Sequence, residues 1–298
     1  MTQYFGGIEA GGTKFICGIG KGDGNILHHA SFPTSKPEVT IPLITDFFLN
    51  HAKDIEIEGI TLGCFGPLDM RKDSPEYGHI KQTNKKEWIN YPILNEISQK
   101  LKLPIFLETD VNIAALGEYL WGKGKGINNL LYLTVGTGIG GGLLINGKPI
   151  PTFNHLEMGH ISVALSDKSN NLKNVCDFHD TCLEGYASGP SLKTRWQINS
   201  LIDLPISHEL WDEESDLLGK AILSYMYCFS PQKIIIGGGV FNKEGLIKKV
   251  IEKIILYNKN YTLLPEKIDE YIIKTSLNGN SALLGAISLA KEYVKNEK

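Results

Sequence analysis

The first part of the chain alternates short apolar runs with longer amphipathic segments, and glycine or polar residues separate them. Apolar runs of strand length that end at such residues predict β-strands. Three strands are predicted first, followed by alternating helices and strands, and this order predicts a mixed sheet with helices packed on it. The predicted strands are Tyr4–Ala10, 13–20, 25–32, Ile57–Cys64 and 104–107, and the predicted helices are 39–53, 92–101 and 112–121.

The same kind of pattern begins again after the glycine-rich connector 122–126. Strands predicted at 129–135 and 138–145 flank a glycine-rich loop, as the first two strands do, which indicates a structural repeat. A polar, irregular stretch follows at 166–180. Apolar residues at helical spacing then predict further helices. These are Glu209–Phe229, 243–258 and 282–295, with a strand at 234–237 between the first two.

Three of the predicted strands run directly into glycines, within 7–14, 134–142 and 234–240. Adjacent glycines leave no side chain between the backbone N–H groups and a ligand. In the first of these segments the glycines stand beside Glu9, Thr13 and Lys14, a combination that suits a phosphate and its metal ion. An ordinary glycine-rich hairpin is the alternative for this segment alone. For the three together we favour one nucleotide site over three unrelated turns.

Asp110 stands where the predicted strand 104–107 gives way to the helix 112–121. One interpretation is that Asp110 caps this helix. The other is that it lies at the carboxyl edge of the sheet, where open α/β sheets bind ligands. A carboxylate beside a phosphate site is what a kinase needs to accept a proton from the attacking hydroxyl. The local sequence leaves both interpretations open.

Cys176, His179 and Cys182 lie at three-residue spacing, and His160 precedes them by sixteen residues. Two thiolates and two imidazoles form a four-ligand set that suits a structural zinc ion, with a chance cluster in a polar loop as the alternative. If a metal fixes this segment, Glu157 and Glu184 are presented on rigid turns and suit hydrogen bonds to a polar substrate. Solvated surface acids are the other interpretation of these two residues.

The chain has 298 residues, of which 42% are hydrophobic and 21% charged, and its net charge is −3. Without a basic excess, a small molecule is the expected partner, not nucleic acid or an anionic membrane. The first twelve residues lack the pattern of a signal peptide, and the longest apolar stretch is broken by glycines, so we expect a cytoplasmic protein. Of the five cysteines, Cys17, Cys64 and Cys228 fall in apolar patterns that predict buried positions.

Taken together, these motifs resemble the ROK family of bacterial sugar kinases and sugar-responsive repressors, and within it the fructokinase branch. The resemblance covers nearly the whole chain. It implies an α/β, two-lobed actin-like (ribonuclease H-like) fold with ATP and sugar in a cleft. The implied lobes are residues 1–115 with 280–298, and residues 116–279, the second carrying the zinc-binding loop. The family also implies Mg²⁺ as a cofactor, on the Glu9 side, and a homodimer.

The resemblance implies roles for individual residues. Asp110 matches the catalytic base, while Gly66, Glu157, His160 and Glu184 match positions that hold the sugar, with His160 also a metal ligand beside Cys176, His179 and Cys182. The implied ATP-binding residues are Gly11, Gly12, Thr13, Lys14, Gly136, Thr137, Gly138, Pro190, Gly238 and Gly239.

Three departures from the commoner ROK pattern favour the fructokinase branch. Glu9 replaces an aspartate, Thr109 replaces an asparagine beside the base, and the cluster has the form Cys-x-x-His-x-x-Cys. The segment 83–88 matches that branch only loosely, so mannose, glucose and N-acetylated hexosamines stay as alternative substrates. A repressor is expected to carry an N-terminal helix-turn-helix, for which the loop at 7–14 leaves no room. A non-catalytic sugar-binding protein is expected to lack Asp110 or a glycine loop, and both are present.

Overall fold

The chain forms two compact units, each of which contains parts that are separated in sequence. The computed structural model describes residues 3–165 and 172–297, with the backbone alone for residue 297. Unit 1 comprises Met1–Asn128, Gly142–Leu156 and Thr275–Lys298, and unit 2 comprises Asn129–Gly141 and Glu157–Lys274. Within the described residues, none of the helices is long and apolar enough to span a membrane.

The elements alternate along the chain largely as the hydrophobic pattern predicts. In chain order they are β1 (Tyr4–Ala10), β2 (Lys14–Gly20), β3 (Ile26–Pro33), α1 (Pro37–His51), β4 (Ile57–Cys64), α2 (Ile93–Leu101), β5 (Ile105–Thr109), α3 (Asp110–Trp121), β6 (Leu130–Val135), β7 (Ile139–Ile145), β8 (Lys148–Pro149), α4 (Leu183–Ala187), α5 (Gly189–Trp196), α6 (Glu209–Phe229), β9 (Lys233–Gly237), α7 (Leu246–Asn258), α8 (Ile268–Tyr271), β10 (Ile272–Lys274) and α9 (Ser281–Glu297).

The first sheet is mixed, as predicted, and has the order β3-β2-β1-β4-β5. β1 pairs antiparallel with β2 and parallel with β4, which in turn pairs parallel with β5. The inner strands are covered on both faces, so Ile8 and Leu62 are fully buried. The register pairs Ala10 with Cys64 and Cys64 with Thr109, which brings the carboxyl ends of β1, β4 and β5 to one edge.

The second sheet has the order β10-β9-β6-β7-β8, with β9 parallel to both β6 and β10. The three isoleucines of β9 are buried, as expected for a central parallel strand. Helices α6 and α7 pack against each other in unit 2. The short helices α4 and α5 follow one another with only Ser188 between them, and Ser188 caps α5 by accepting the Ser191 N–H.

Several elements differ from the sequence predictions. α3 begins at Asp110, two residues early, and α7 begins at Leu246 because Gly245 has a φ of 83° and interrupts the predicted helix. β8, β10, α4, α5 and α8 are too short to show a period. In the polar stretch, residues 172–180 contain neither helix nor strand, and 166–171 lie outside the described residues. Cys228 is exposed and not buried as predicted, because it shares the outer face of α6 with Ser224.

Candidate functional site

The turn between β1 and β2 forms an open loop in unit 1. The Gly11 N–H donates to Lys14 O at 3.1 Å, and the Thr34 hydroxyl donates to Gly11 O at 2.7 Å. Neither Gly11 nor Gly12 has a positive φ, so the glycines do not supply an unusual backbone conformation here. Gly11 allows the close approach of the Lys14 carbonyl, which a Cβ there would meet at 2.9 Å, whereas Gly12 leaves open space, because a Cβ on it would meet no atom within 4 Å. The exposed Thr13 and Lys14 complete a loop with room for a phosphate.

Glu9, just before this loop, holds a carboxylate in surroundings that fit a cation. The residue is part-buried, but its Oε2 atom is fully covered and has no hydrogen-bond partner among the described residues. The pKa of Glu9 is raised from 4.5 to about 7, chiefly by burial and also by the nearby Asp110, while Lys14 opposes the rise. An orphaned carboxylate oxygen beside a second acid is an arrangement that Mg²⁺ would stabilise.

Asp110 does not act as the cap of α3. Thr109 is the N-cap, since its hydroxyl accepts the Asn112 N–H at 3.1 Å, and Asp110 is the first helical residue. The Asp110 Oδ1 accepts only the adjacent Val111 N–H, at 2.9 Å, among the hydrogen bonds described for this carboxylate. The Asp110 side chain is 27% exposed. The helix therefore leaves the carboxylate available at the carboxyl edge of the first sheet, beside Glu9.

A histidine that the sequence analysis did not single out lies beside Asp110. His155 is 9% exposed, and its Nε2 atom is 3.9 Å from the Asp110 Oδ1 atom. Gly66 packs closely against this ring, because a Cβ on Gly66 would lie 2.7 Å from the His155 Cγ atom. Gly66 is joined to Pro67 by a cis peptide bond. The predicted substrate residue Gly66 thus contacts His155, which in turn lies beside the predicted base Asp110. The only sequence signal for His155 is its place two residues before Glu157.

The second glycine loop, between β6 and β7, is closed by its own backbone in unit 2. The Gly136 N–H donates to Gly138 O at 2.9 Å, and the Gly136 carbonyl accepts the Gly189 N–H at 2.8 Å. The following residue, Ile139, donates its N–H to the Glu184 Oε2 atom at 2.8 Å. Thr137, at the tip, is exposed. The loop is thereby held at both ends, with its tip open to solvent.

The third glycine junction, after β9, packs against the second. Gly238 has a φ of 92°, and a Cβ there would lie 2.2 Å from Val135 O, so only glycine fits. A Cβ on Gly136 would lie 3.6 Å from the Gly239 N atom, which is ordinary contact distance. Pro190 is exposed in the first turn of α5. Two of the three predicted glycine junctions are therefore neighbours within unit 2.

Glu157 and Glu184 both face the same nitrogen of His160. The His160 Nε2 atom is 3.8 Å from the Glu157 Oε2 atom and 3.6 Å from the Glu184 Oε1 atom. Burial raises the pKa of Glu184, and the N–H of Ile139 opposes that rise. The structure thus brings the three predicted sugar-binding side chains of unit 2 together around one imidazole. Two acids and a histidine in this arrangement suit vicinal hydroxyl groups, which donate and accept hydrogen bonds.

The predicted metal ligands also come together. One ligand atom from each of His160, Cys176, His179 and Cys182 lies within 4.8 Å of all the others. The Cys176 Sγ atom is 3.8 Å from the His160 Nδ1 atom and 3.5 Å from the His179 Nδ1 atom.

Those distances fit a zinc ion. Usual zinc bond lengths place the sulfur and nitrogen ligands of a tetrahedral site about 3.6 Å apart. Burial raises the pKa of Cys182 to about 11, and a bound cation would instead favour its thiolate. The cluster is therefore able to hold a metal ion.

Comparisons with known proteins support the family resemblance that these motifs indicate. The model of the ROK family matches residues 5–293 of the chain. The chain is 37% identical to a putative fructokinase of Bacillus subtilis (strain 168), over 98% of this chain and 97% of that protein. It is 38% identical to a fructokinase of Lactococcus lactis subsp. cremoris, over the full length of both. Among solved structures, the ROK hexokinase from Thermus thermophilus is similar, with a TM-score of 0.79, 27% identity and coverage of 98% and 99%.

Proposed function

This chain belongs to the ROK family, and we propose that it is an ATP-dependent fructokinase that converts D-fructose to D-fructose 6-phosphate. Full-length identity of 37–38% to proteins named fructokinase or putative fructokinase supports the substrate. The observation that carries the reaction class is Asp110. Its carboxylate is released from capping by Thr109 and stands at the sheet edge beside Glu9 and the open Gly11–Gly12 turn.

In unit 1, Asp110 accepts the proton of the sugar hydroxyl as that oxygen attacks the γ-phosphate of ATP in line. The Gly66 backbone and the buried His155 define the wall beside this carboxylate. The turn formed by Gly11, Gly12, Thr13 and Lys14 donates N–H groups and an ammonium to phosphate oxygens. Mg²⁺, when bound on the Glu9 side, offsets negative charge on the phosphates.

In unit 2, Glu157, His160 and Glu184 hydrogen-bond the sugar hydroxyls and fix its orientation. The loop formed by Gly136, Thr137 and Gly138 binds phosphate through its backbone. Gly238, Gly239 and Pro190 border the adenosine, where a side chain at either glycine would narrow the space. Zinc, held by His160, Cys176, His179 and Cys182, is structural and stabilises the segment that carries Glu184.

An assay of ADP release across a panel of sugars tests the substrate. We expect the highest kcat/KM for fructose, with mannose, glucose and N-acetylated hexosamines as the competing candidates. A higher kcat/KM for any of these would reassign the substrate within the same reaction class. Without ADP release for any sugar, while ATP binding is intact, the kinase assignment itself would be wrong.

Two further properties are proposed on the family resemblance. We expect a homodimer, which sedimentation at micromolar concentration would distinguish from a monomer. We also expect the protein to work in the cytoplasm, where its second substrate ATP is abundant, and cell fractionation tests that location. We propose that units 1 and 2 are the two lobes of the fold; the family boundaries lie at residues 115 and 280, whereas unit 1 also contains residues 116–128, 142–156 and 275–279.

A further inference from the structure

The corner between α4 and α5 holds the second glycine loop at both of its ends. The Glu184 Oε2 atom accepts the Ile139 N–H at 2.8 Å, just after the loop. The Gly189 N–H donates to Gly136 O at 2.8 Å, at its start. The Glu184 carbonyl in turn accepts the Ser188 N–H at 3.0 Å, so both contacts come from one hydrogen-bonded corner. Movement of this corner therefore moves the loop.

The same corner is built on the metal-ligand segment. The Cys182 Sγ atom accepts the Gly185 N–H at 3.4 Å and so caps α4. Asn174 joins two of the ligands, because its amide donates to Cys182 O and its side-chain oxygen accepts the Cys176 N–H, both at 2.9 Å. The Val175 N–H donates to Gly185 O at 3.0 Å. The ligand segment and α4 thus form one hydrogen-bonded unit.

Glu184 connects this unit to the loop through its two oxygens. Its Oε1 atom lies 3.6 Å from the His160 Nε2 atom, while its Oε2 atom binds the backbone of Ile139. The other ring nitrogen of His160, Nδ1, faces the Cys176 Sγ atom at 3.8 Å. When Nδ1 serves as a ligand, the proton resides on Nε2 and points toward the carboxylate. One side chain therefore contacts both the metal-ligand set and the phosphate loop.

We propose that Glu184 is a positioning residue for the nucleotide as well as a sugar ligand. Through its two oxygens, it makes the position of the loop Gly136–Gly138 depend on an ordered metal-ligand cluster of His160, Cys176, His179 and Cys182. This inference rests on the proposed function, in which that loop binds phosphate. Its consequence is that a substitution of Glu184 weakens nucleotide binding, whereas a substitution of Glu157, which faces the same nitrogen of His160, does not. Glu157 faces the same His160 nitrogen at 3.8 Å and is the matched control.

The test is the Kd of a non-hydrolysable ATP analogue, measured by calorimetry with Mg²⁺ and without sugar. Glu184→Ala removes the acceptor of the Ile139 N–H, and we expect binding about tenfold weaker, as for the loss of one charge-assisted hydrogen bond. Glu184→Gln keeps an acceptor oxygen, so its Kd stays within about threefold of wild type. Glu157→Ala keeps the nucleotide Kd within about twofold.

Hydrogen exchange provides a second readout that needs no substitution. Removing zinc from the wild-type protein with a chelator should speed exchange of the amides over 136–141, and added Zn²⁺ should restore protection. The strand β9 serves as the internal reference, since its residues are buried and its amides should not change. The Glu184→Ala variant should show the same local increase while zinc stays bound.

Three results would overturn the inference: equal nucleotide affinity in Glu184→Ala and wild type, an equal loss in Glu157→Ala, or loop exchange that is indifferent to zinc. Failure of the wild-type protein to bind the ATP analogue would instead contradict the proposed function. The two failures are therefore distinguishable in one set of titrations.

Discussion

Replacing Glu9 with glutamine should stabilise the ligand-free protein at alkaline pH. The pKa of Glu9 rises from 4.5 to about 7 in the folded state, chiefly through burial. Between these two values the folded state retains a proton that the unfolded chain has lost, so the free energy of unfolding falls as the pH rises. Above pH 7 the loss in the free energy of unfolding reaches its full value. Each pH unit corresponds to 1.36 kcal/mol, so the difference amounts to roughly 3 kcal/mol.

Thermal unfolding without nucleotide or metal, from pH 5 to pH 8.5, measures this effect. Glu9→Gln does not ionise, so at pH 8 we expect its Tm to exceed that of wild type by on the order of 5 °C, given about 2 °C per kcal/mol for a chain of this size. At pH 5 the two should melt together. Adding Mg²⁺ with ATP should raise the Tm of the wild type more than that of the variant.

Asp110→Asn provides the matched control for this reasoning, because Asp110 is a named cause of the raised pKa of Glu9. This variant should shift the pH-dependent loss of stability to lower pH. A Tm difference between Glu9→Gln and wild type that is the same at pH 5 and pH 8 would refute the assignment of a raised pKa to Glu9.

Three other predictions concern backbone, packing and metal. Gly238→Ala should destabilise the protein by at least about 2 kcal/mol in urea unfolding, because Gly238 has a positive φ and Val135 O lies close to it. Gly239→Ala should cost much less, because a Cβ there would meet nothing within 4 Å, and equal effects of the two substitutions would contradict this prediction. Glu118→Ala should cost about 3 kcal/mol, because the buried carboxylate accepts hydrogen bonds from Lys123, Ser276 and Ser281, and an unchanged urea midpoint would count against it. Metal analysis should find about one zinc per chain in the wild type and little in Cys176→Ser, and less than half an equivalent in the wild type would exclude the structural site.

The elements that the sequence predicts best are those with strong apolar patterns. The bounds of β1, β4 and α6 agree with the prediction to the residue, because each ends at or just before a turn signal: Gly11–Gly12 after β1, Gly66–Pro67 shortly after β4, and Ser230–Pro231 after α6. The start of α3 was missed because Thr109 and Asp110 are both good capping residues. Only the contact between the Thr109 hydroxyl and the Asn112 N–H decides between them.

The sequence predicted the motif residues of the candidate site but not the residues that position them. The four metal ligands and the acids around His160 come together as the spacing indicates. His155 was missed, because its role depends on packing against Gly66, which is distant in sequence. The hydrogen bond from the Gly189 N–H to Gly136 O was also missed, because any residue type can make a backbone hydrogen bond and the sequence therefore does not indicate it. The expectation that the glycine pair at 11 and 12 leaves the backbone open to a ligand agrees with the free space beside Gly12, and neither glycine has a positive φ.

The most direct test of the central claim is the stoichiometry of products in one reaction with ATP, Mg²⁺ and fructose. We expect one fructose 6-phosphate for each ADP in the wild type. In Asp110→Asn we expect a kcat lower by about 100- to 10,000-fold, with binding of the ATP analogue largely intact. ADP release without sugar phosphate, or a near-normal kcat in Asp110→Asn, would contradict it.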